Sequence, residues 1–344
     1  MSGVTVEEWG PGEGSDSRTA DAWQGVRTRI GYATPDERVP AGGTCLLARR
    51  GADAVARCSL GRSRFTGETR PTGWIGNYEA TDAEAGVELL NRAVQLLHER
   101  GMERVLGPLN GSTWHRYRFA LRPTEDADAA EAAPFGGEPW NPPEYPEQWR
   151  AAGFTTVAEY ESRAVTLPPG VAASADAQAA LRERGIRVRG LRSEEWDEEL
   201  DALHALSAEA FRDNPFYAPI DLFAFRELYA PLRPLLDPAL VRVAEDERGP
   251  VGFVLAYPDP LTPGDARGRI VLKSLVSAPR ARGLGLGGLL VAQVHAAAAA
   301  RGAATVVHAL MHLTNPSVRI SAASGGEPLR RYVLFGRTTA EGAA

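Results

Sequence analysis

The sequence predicts an α/β (α+β) chain made of two halves built alike, and three observations carry that reading. At 344 residues the chain is about twice the usual domain length, so two domains are the starting expectation. The stretch Ile270 to Ala300 reads as strand, glycine turn and helix. It has a β-prone run to Val276, a stop at Pro279, glycines and an arginine between Arg282 and Gly288, and a long Ala/Leu/Val run. The order of elements also repeats. Gly86 to Gly101 and Gly287 to Gly302 span helices with the same fifteen-residue step, each followed by a strand and an Asn-x-Ser element, Asn110-Gly-Ser112 and Asn315-Pro-Ser317.

In the first half, residues 1 to 40 are punctuated by Gly, Asp and Pro, with one helix expected around Ala20 to Ile30. Thr44 to Leu60 reads as a hairpin turning at Arg50-Gly-Ala-Asp53. A strand is expected over Arg70 to Tyr78 and a helix over Ala83 to Arg100, closed by Gly101 as C-cap. The strand Glu103 to Gly107 follows, then an acidic, Pro- and Gly-rich excursion over residues 121 to 143 expected on the surface. A short helix and a strand between Tyr145 and Val165 close the half.

Leu167 to Ala180 has the composition of a linker, which divides the chain into 1–167, a linker at 168–180, and 181–344. The second half offers a strand at Ile186 to Leu191, helices near Glu194 to Arg212 and Asp221 to Leu236, and a hairpin from Leu240 to Tyr257. The strand, turn and helix of the opening follow, and then the strand Ala304 to Leu313.

Composition excludes several classes. With 44% hydrophobic and 24% charged residues the chain matches an ordinary globular protein. A net charge of −6 without a basic block speaks against a nucleic-acid partner. The longest apolar run, Leu289 to Ala300, is too short for a membrane span and contains Gln293 and His295. The start, MSGVTVEEWG, has no cationic lead or apolar core, so a cytoplasmic location is expected. Cys45 and Cys58 flank the hairpin turn, where they are expected opposite one another as reduced, core-facing thiols. No metal site is expected, because no His, Cys or carboxylate set has ligand spacing.

A glycine turn opening a helix leaves backbone N–H groups aimed forward at the positive end of the helix dipole, which suits a phosphate. Gly283-x-Gly285-x-x-Gly288 satisfies the dinucleotide fingerprint, but the next strand carries His308 and His312 and no acidic residue for a ribose. No Lys-Ser or Lys-Thr follows the glycines, which argues against a Walker-type loop. The run Arg282-Gly-Leu-Gly285-Leu-Gly287, with Val276 and Pro279 just before it, instead resembles the signature of the GNAT superfamily of acyl-CoA-dependent N-acetyltransferases. Trp149-Arg-Ala-Ala-Gly153-Phe154 also resembles the family's approach to its last strand. The first half has Thr81-Asp-Ala-Glu-Ala-Gly86 where the second has its glycines, so the resemblance is to a tandem pair whose N-terminal copy is degenerate.

That resemblance implies two tandem domains, each a mixed, mostly antiparallel twisted sheet flanked by helices, and acetyl-CoA as donor. Backbone groups of Ser274, Leu275 and Val276 would pair with the pantetheine arm. Amides of Arg282, Gly283, Leu284, Gly285, Leu286 and Gly287 would hold the pyrophosphate, and Asn315 would bond the pantetheine. The catalytic candidates are His312 as base and Ser317 as donor to the thiolate. The family's usual tyrosine does not closely follow Asn315, the next being Tyr332. The loop Asp213 to Tyr217 either shapes the acceptor pocket or packs on the core. Trp114 to Arg118 reads as a domain interface. The expected function is acyl transfer to an amine of a small molecule or peptide, by a monomer or homodimer. The alternatives are a CoA-binding or interaction protein without turnover, and aminoacyl transfer from a charged tRNA.

Overall fold

The structure, a computed structural model, describes residues 3–10, 17–30, 39–40, 42–122, 132–262 and 268–340. In the first half the strands are β1 (Val4–Trp9), β2 (Thr44–Arg50), β3 (Asp53–Ser63), β4 (Thr72–Ala80), β5 (Arg104–Gly107), β6 (Phe119–Leu121) and β7 (Thr155–Thr166). The helices there are α1 (Ser17–Ile30), α2 (Ala83–Glu99) and α3 (Tyr145–Ala151). The second half holds α4 (Ala175–Glu183), β8 (Arg187–Gly190), α5 (Trp196–Phe211), α6 (Leu222–Tyr229), β9 (Val241–Asp246), β10 (Gly249–Pro258) and β11 (Arg269–Ser277). After them come α7 (Leu286–Ala300), β12 (Thr305–His312), α8 (Pro316–Ala323) and β13 (Glu327–Thr338).

All the described strands join one sheet in the order β1-β2-β3-β4-β5-β13-β7-β12-β11-β10-β9-β8, with β6 on β13. Only β4–β5 and β11–β12 pair in parallel, and the helices cover the two faces, so the expected mixed, mostly antiparallel fold class holds. The last strand of each half lies in the other half's sheet. β13 pairs with β5 through Phe335↔Gly107, and β7 pairs with β12 through Val307↔Ala164. β13 and β7 also pair with each other, Tyr332 facing Tyr160, and join the halves by backbone hydrogen bonds along a buried seam.

Local physics accounts for the matching helices. The apolar stripe of α2 (Leu89, Leu90, Ala93, Val94, Leu97) is buried against the sheet, Asp82 caps its start, and Gly101 ends it at φ 79°. In α7, Leu289, Leu290, Val294 and Ala298 fill a second core with Val254 and Val306. The sequence reading did not assign β1, β6, α8 or β13, and the stretch read as a linker ends in α4, whose Leu181 is buried.

Two other expectations are corrected. A register shift between Ala48 and Arg49 sets Cys45 opposite Ser59 and Cys58 opposite Leu46, so the two thiols fall on different faces of the sheet. Both are free and buried, and burial raises the Cys45 pKa to about 11 and that of Cys58 further. The excursion expected on the surface is, over its described residues, largely an interior element. Phe135 is buried in the core of α5, α6 and β10, and Glu138 is buried with Arg330 at 2.8 Å. A carboxylate and a guanidinium can be buried together where each answers the other's charge.

Candidate active site

β11 and β12 pair only from Arg269↔Thr305 to Leu272↔His308. Two irregularities then part them. Lys273 is the extra residue in the ladder with β10, between the pairs Ala256↔Leu272 and Leu255↔Ser274. In β12 the pairing with β7 breaks between His308 and Met311, and Leu310 takes φ 61°, a conformation costly for a branched side chain. Its N–H donates to Ser162 Oγ at 2.9 Å, and its carbonyl accepts from Arg118 Nη1 at 3.0 Å.

The parted strands open onto a cavity of about 1160 Å³. Its walls come from both halves. The second half supplies Lys273, Ser274, Leu275, His312, Asn315 and Ser317, and the first half supplies Trp114, Arg118, Glu138 and Tyr160. Asn214, Pro215 and Tyr217 also line it, while Tyr217 packs on Trp114 and Phe216 on Phe65, so the loop both borders the cavity and packs on the core. Trp114 donates Nε1–H to Ala218 O at 2.8 Å and packs on Phe211 and Phe225, so its stretch is the interface the sequence suggested.

The turn before α7 lies beside this cavity. Gly283 and Gly285 both have φ 78°, and Gly285 is an N-cap without a side chain, so no side-chain acceptor caps the first helical N–H groups. A Cβ on Gly283, Gly285 or Gly288 would meet nothing within 4 Å; that open space in front of the amides fits an anionic group. Arg282 is exposed, with Nη2 3.4 Å from Ala210 O. The turn residues do not line the cavity themselves, but Gly287 packs on Ile320 and Leu275, which do. Val276 lies farther along β11 with its side chain in the core.

The corresponding place in the first half is closed. β4 and β5 pair as far as Trp74↔Leu106, after which Leu109 N–H donates to Ile75 O at 2.8 Å and Asn77 N–H to Asn110 Oδ1 at 2.8 Å. A Cβ on Gly76 would sit 2.1 Å from Asn110 Oδ1, so no second chain fits between these strands. Asp82 accepts from Ala85 N–H and pairs with Arg50 at 2.8 Å, which occupies the start of α2. Asn110 therefore uses its amide within its own fold. Asn315, the equivalent residue, makes no side-chain cap bond and lines the cavity.

His312 stands where β12 ends, its ring 5.0 Å from that of Tyr160 in an edge contact. Its Nδ1 lies 2.8 Å from Thr314 Oγ1 and accepts from Thr314 N–H at 3.2 Å. Desolvation, and then the Arg118 charge, hold its pKa below the ordinary histidine value, so the ring is neutral at pH 7. The Thr314 N–H bond favours the tautomer with the proton on Nε2, and Nε2 has a lone pair for a proton only where Nδ1–H instead donates to Thr314 Oγ1. Ser317 is the second residue of α8 and lines the same wall. Tyr332 is fully buried in β13, with its hydroxyl bonded to Glu138 and, at 3.0 Å, to Ser162. It does not line the cavity.

Arg118, Tyr160 and Thr314 were not identified as site residues from the sequence. The first two reach the cavity through the strand exchange, which has no local sequence signal, and Thr314 acts only through His312. Among the described residues no group of three or more His, Cys, Asp or Glu could hold a metal ion, and no helix is long and apolar enough to cross a membrane.

The profile of the acetyltransferase (GNAT) family matches residues 196–320. No curated protein sequence matches the chain. Among solved structures, the glucosamine N-acetyltransferase region of a fungal multi-domain β-N-acetylglucosaminidase superposes with a TM-score of 0.57 at 16% identity, covering 98% of this chain and 38% of that one. A GCN5-related N-acetyltransferase from Sphaerobacter thermophilus gives 0.52 at 15% identity, covering 98% and 96%. A tandem GNAT protein from the clavulanic acid biosynthesis pathway gives 0.54 at 14% identity, covering 98% of each chain. At these identities the structural likeness shows a shared fold.

Proposed function

From the match of residues 196–320 to the GNAT acetyltransferase family and the fold shared with a tandem GNAT protein, we propose that this chain is a tandem GNAT protein with a degenerate N-terminal copy and that it transfers an acyl group from acyl-CoA, most simply acetyl-CoA, directly to an amine. The observation that carries the proposal is the uncapped glycine turn of α7 beside a cavity opened by the parting of β11 and β12. We take the copies as 1–167 and 181–344, joined through 168–180, with their last strands exchanged and only the second copy binding CoA.

Bound acyl-CoA supplies a thioester that an amine can attack without an acyl-enzyme. The amides of Arg282 to Gly287 would hold its diphosphate, the free edge of β11 at Ser274, Leu275 and Val276 would pair with the pantetheine arm as an added strand, and Asn315 would bond that arm. For His312 Nε2 to take the proton from the acceptor amine, Nδ1–H must donate to Thr314 Oγ1, which displaces the Thr314 N–H that reaches Nδ1. Ser317 offers a hydroxyl proton from the adjoining wall. The first half closes the cavity with Trp114, Arg118 and Tyr160, and so excludes water from the reacting groups.

The acceptor is a small molecule or peptide amine, and the working unit is a monomer or homodimer in the cytoplasm, without metal or nucleic acid. Acetyl-CoA with a panel of amines, read as thiol release, tests the proposal. The second reading, a CoA-binding protein without turnover, draws on Tyr332, whose hydroxyl is committed elsewhere. Acetyl-CoA binding with no thiol release across the panel would favour it.

A further inference from the structure

The cavity carries positive charge that no carboxylate among the described residues answers. Arg118 is only 7% exposed, yet among the described residues no Asp or Glu pairs with it, and its Nε is buried without a hydrogen-bond partner. Its guanidinium lies 3.9 Å from the Tyr117 ring centroid and 4.2 Å from that of Tyr160, and its Nη1 donates to a neutral carbonyl, Leu310 O. Aromatic faces and a carbonyl offset part of the cost of burying a cation, and an anion would offset more.

Lys273, the chain's only lysine, also lines the cavity, at the residue where β11 leaves its ladder. Its Nζ is 5.3 Å from the Tyr229 ring centroid, and no carboxylate pairs with it among the described residues. Tyr229 belongs to the core of α5 and α6, while α7 packs in the other core, so this charge faces away from the glycine turn. Among the described residues the sole carboxylate lining the cavity is Glu138, which is committed to Arg330 and Tyr332. In a chain of net charge −6, the cavity is thus cationic, with aromatic walls at Trp114, Tyr217, Tyr229 and Tyr257.

We infer that the acceptor carries, beside its amine, an anionic group, a carboxylate or a phosphate, which pairs with Arg118 and is drawn in by Lys273. This rests on the acyl-transfer reading and narrows it. The acceptors favoured are amino acids and amino phosphates of modest size with an apolar or aromatic body, and polyamines are disfavoured because their charge would meet two unneutralised cations.

The test uses matched pairs that differ only in the anion: phenylalanine against phenylalaninamide, and O-phosphoethanolamine against ethanolamine, with spermidine as the cationic case. Equilibrium binding of the N-acetylated pairs to the full chain with CoA present gives a readout independent of turnover. The anionic member of at least one pair is expected to bind about tenfold or more tighter and to be acetylated preferentially. The pair that discriminates identifies carboxylate or phosphate. Arg118→Met should bring that ratio to within about threefold of one, Arg118→Lys should restore part of it, and Lys273→Met, at an exposed position, should reduce it without loss of fold. Acetyl-CoA affinity should be unchanged in all three variants. Neutral members or spermidine binding as well as the anions, or a ratio that survives Arg118→Met, would overturn the inference and leave the transferase reading standing. Failure to bind acetyl-CoA at all would overturn both.

Discussion

Asp82 and Gly285 are the N-cap residues of α2 and α7, each the residue before the long helix that follows a central strand. Asp82 turns its carboxylate onto Ala85 N–H and Arg50, whereas Gly285, at φ 78°, presents no side chain. One position thus neutralises its helix start from within and the other leaves it for an external anion. The first half is closed a second time where Leu109 and Asn110 fill the space between β4 and β5.

Gly86→Asp shows what the structure adds. From the sequence this change, at the residue matching Gly287, is expected to leave CoA binding untouched. A Cβ at Gly86 would lie 2.3 Å from Tyr78 Oη and 3.0 Å from Ala80 Cβ in a buried site. The variant should therefore lose at least about 3 kcal/mol of stability, read as a lower urea midpoint. A midpoint matching the parent would contradict this packing.

The pH profile of transfer should report His312. Its pKa is lowered, by desolvation first and the Arg118 charge second, and its neutral form is the active one, so the acid limb of kcat/KM should lie below pH 6.5. Arg118→Met removes the second cause and should move that limb upward. His312→Asn should lower kcat about a hundredfold. Thr314→Val leaves Thr314 N–H to take Nδ1, favours the proton on Nε2, and should lower kcat with little change in acetyl-CoA affinity. An acid limb unmoved by Arg118→Met would remove His312 from the role.

A separate pH effect belongs to the fold. His295 and His308 are buried with Nε2 atoms 2.9 Å apart, and His308 Nδ1 lies 2.8 Å from Ser321 Oγ. Burial lowers the His295 pKa to about 4 and, with the His295 and Arg163 charges, that of His308 to about 3. Both folded values lie below the unfolded value near 6.5, so the unfolded chain binds more protons as pH falls. Their contribution is complete above pH 6.5 and is lost progressively toward pH 4 and then 3, on the order of 2–3 kcal/mol over the first part of that window. Denaturation midpoints at pH 7, 5.5 and 4.5 should fall in that order, less steeply for His295→Leu, and equal slopes would contradict the assignment.

Much of this was legible locally. Apolar spacing gave the long helices, and the glycine run placed the turn of α7, because those signals act within one element. The register of the hairpin carrying Cys45 and Cys58 was not, since its bulge depends on how β3 meets both neighbours. The excursion around Phe135 and Glu138 reads as surface by composition, and it is interior because its partners, Arg330 and Arg269, lie more than a hundred residues away. Arg118 reached the site by the same kind of non-local pairing, through an exchange of strands that neither half's pattern specifies.

The most direct measurement is calorimetric titration of the full chain with acetyl-CoA, alongside Gly285→Asp and, as control, Asp82→Ala. The parent should bind one equivalent. Gly285→Asp, which puts a carboxylate before the α7 amides, should weaken binding by about a hundredfold or more, and Asp82→Ala, which costs about 1 kcal/mol of helix capping, should leave affinity unchanged. Undiminished binding by Gly285→Asp, or two equivalents bound by the parent, would contradict a single donor site at the start of α7.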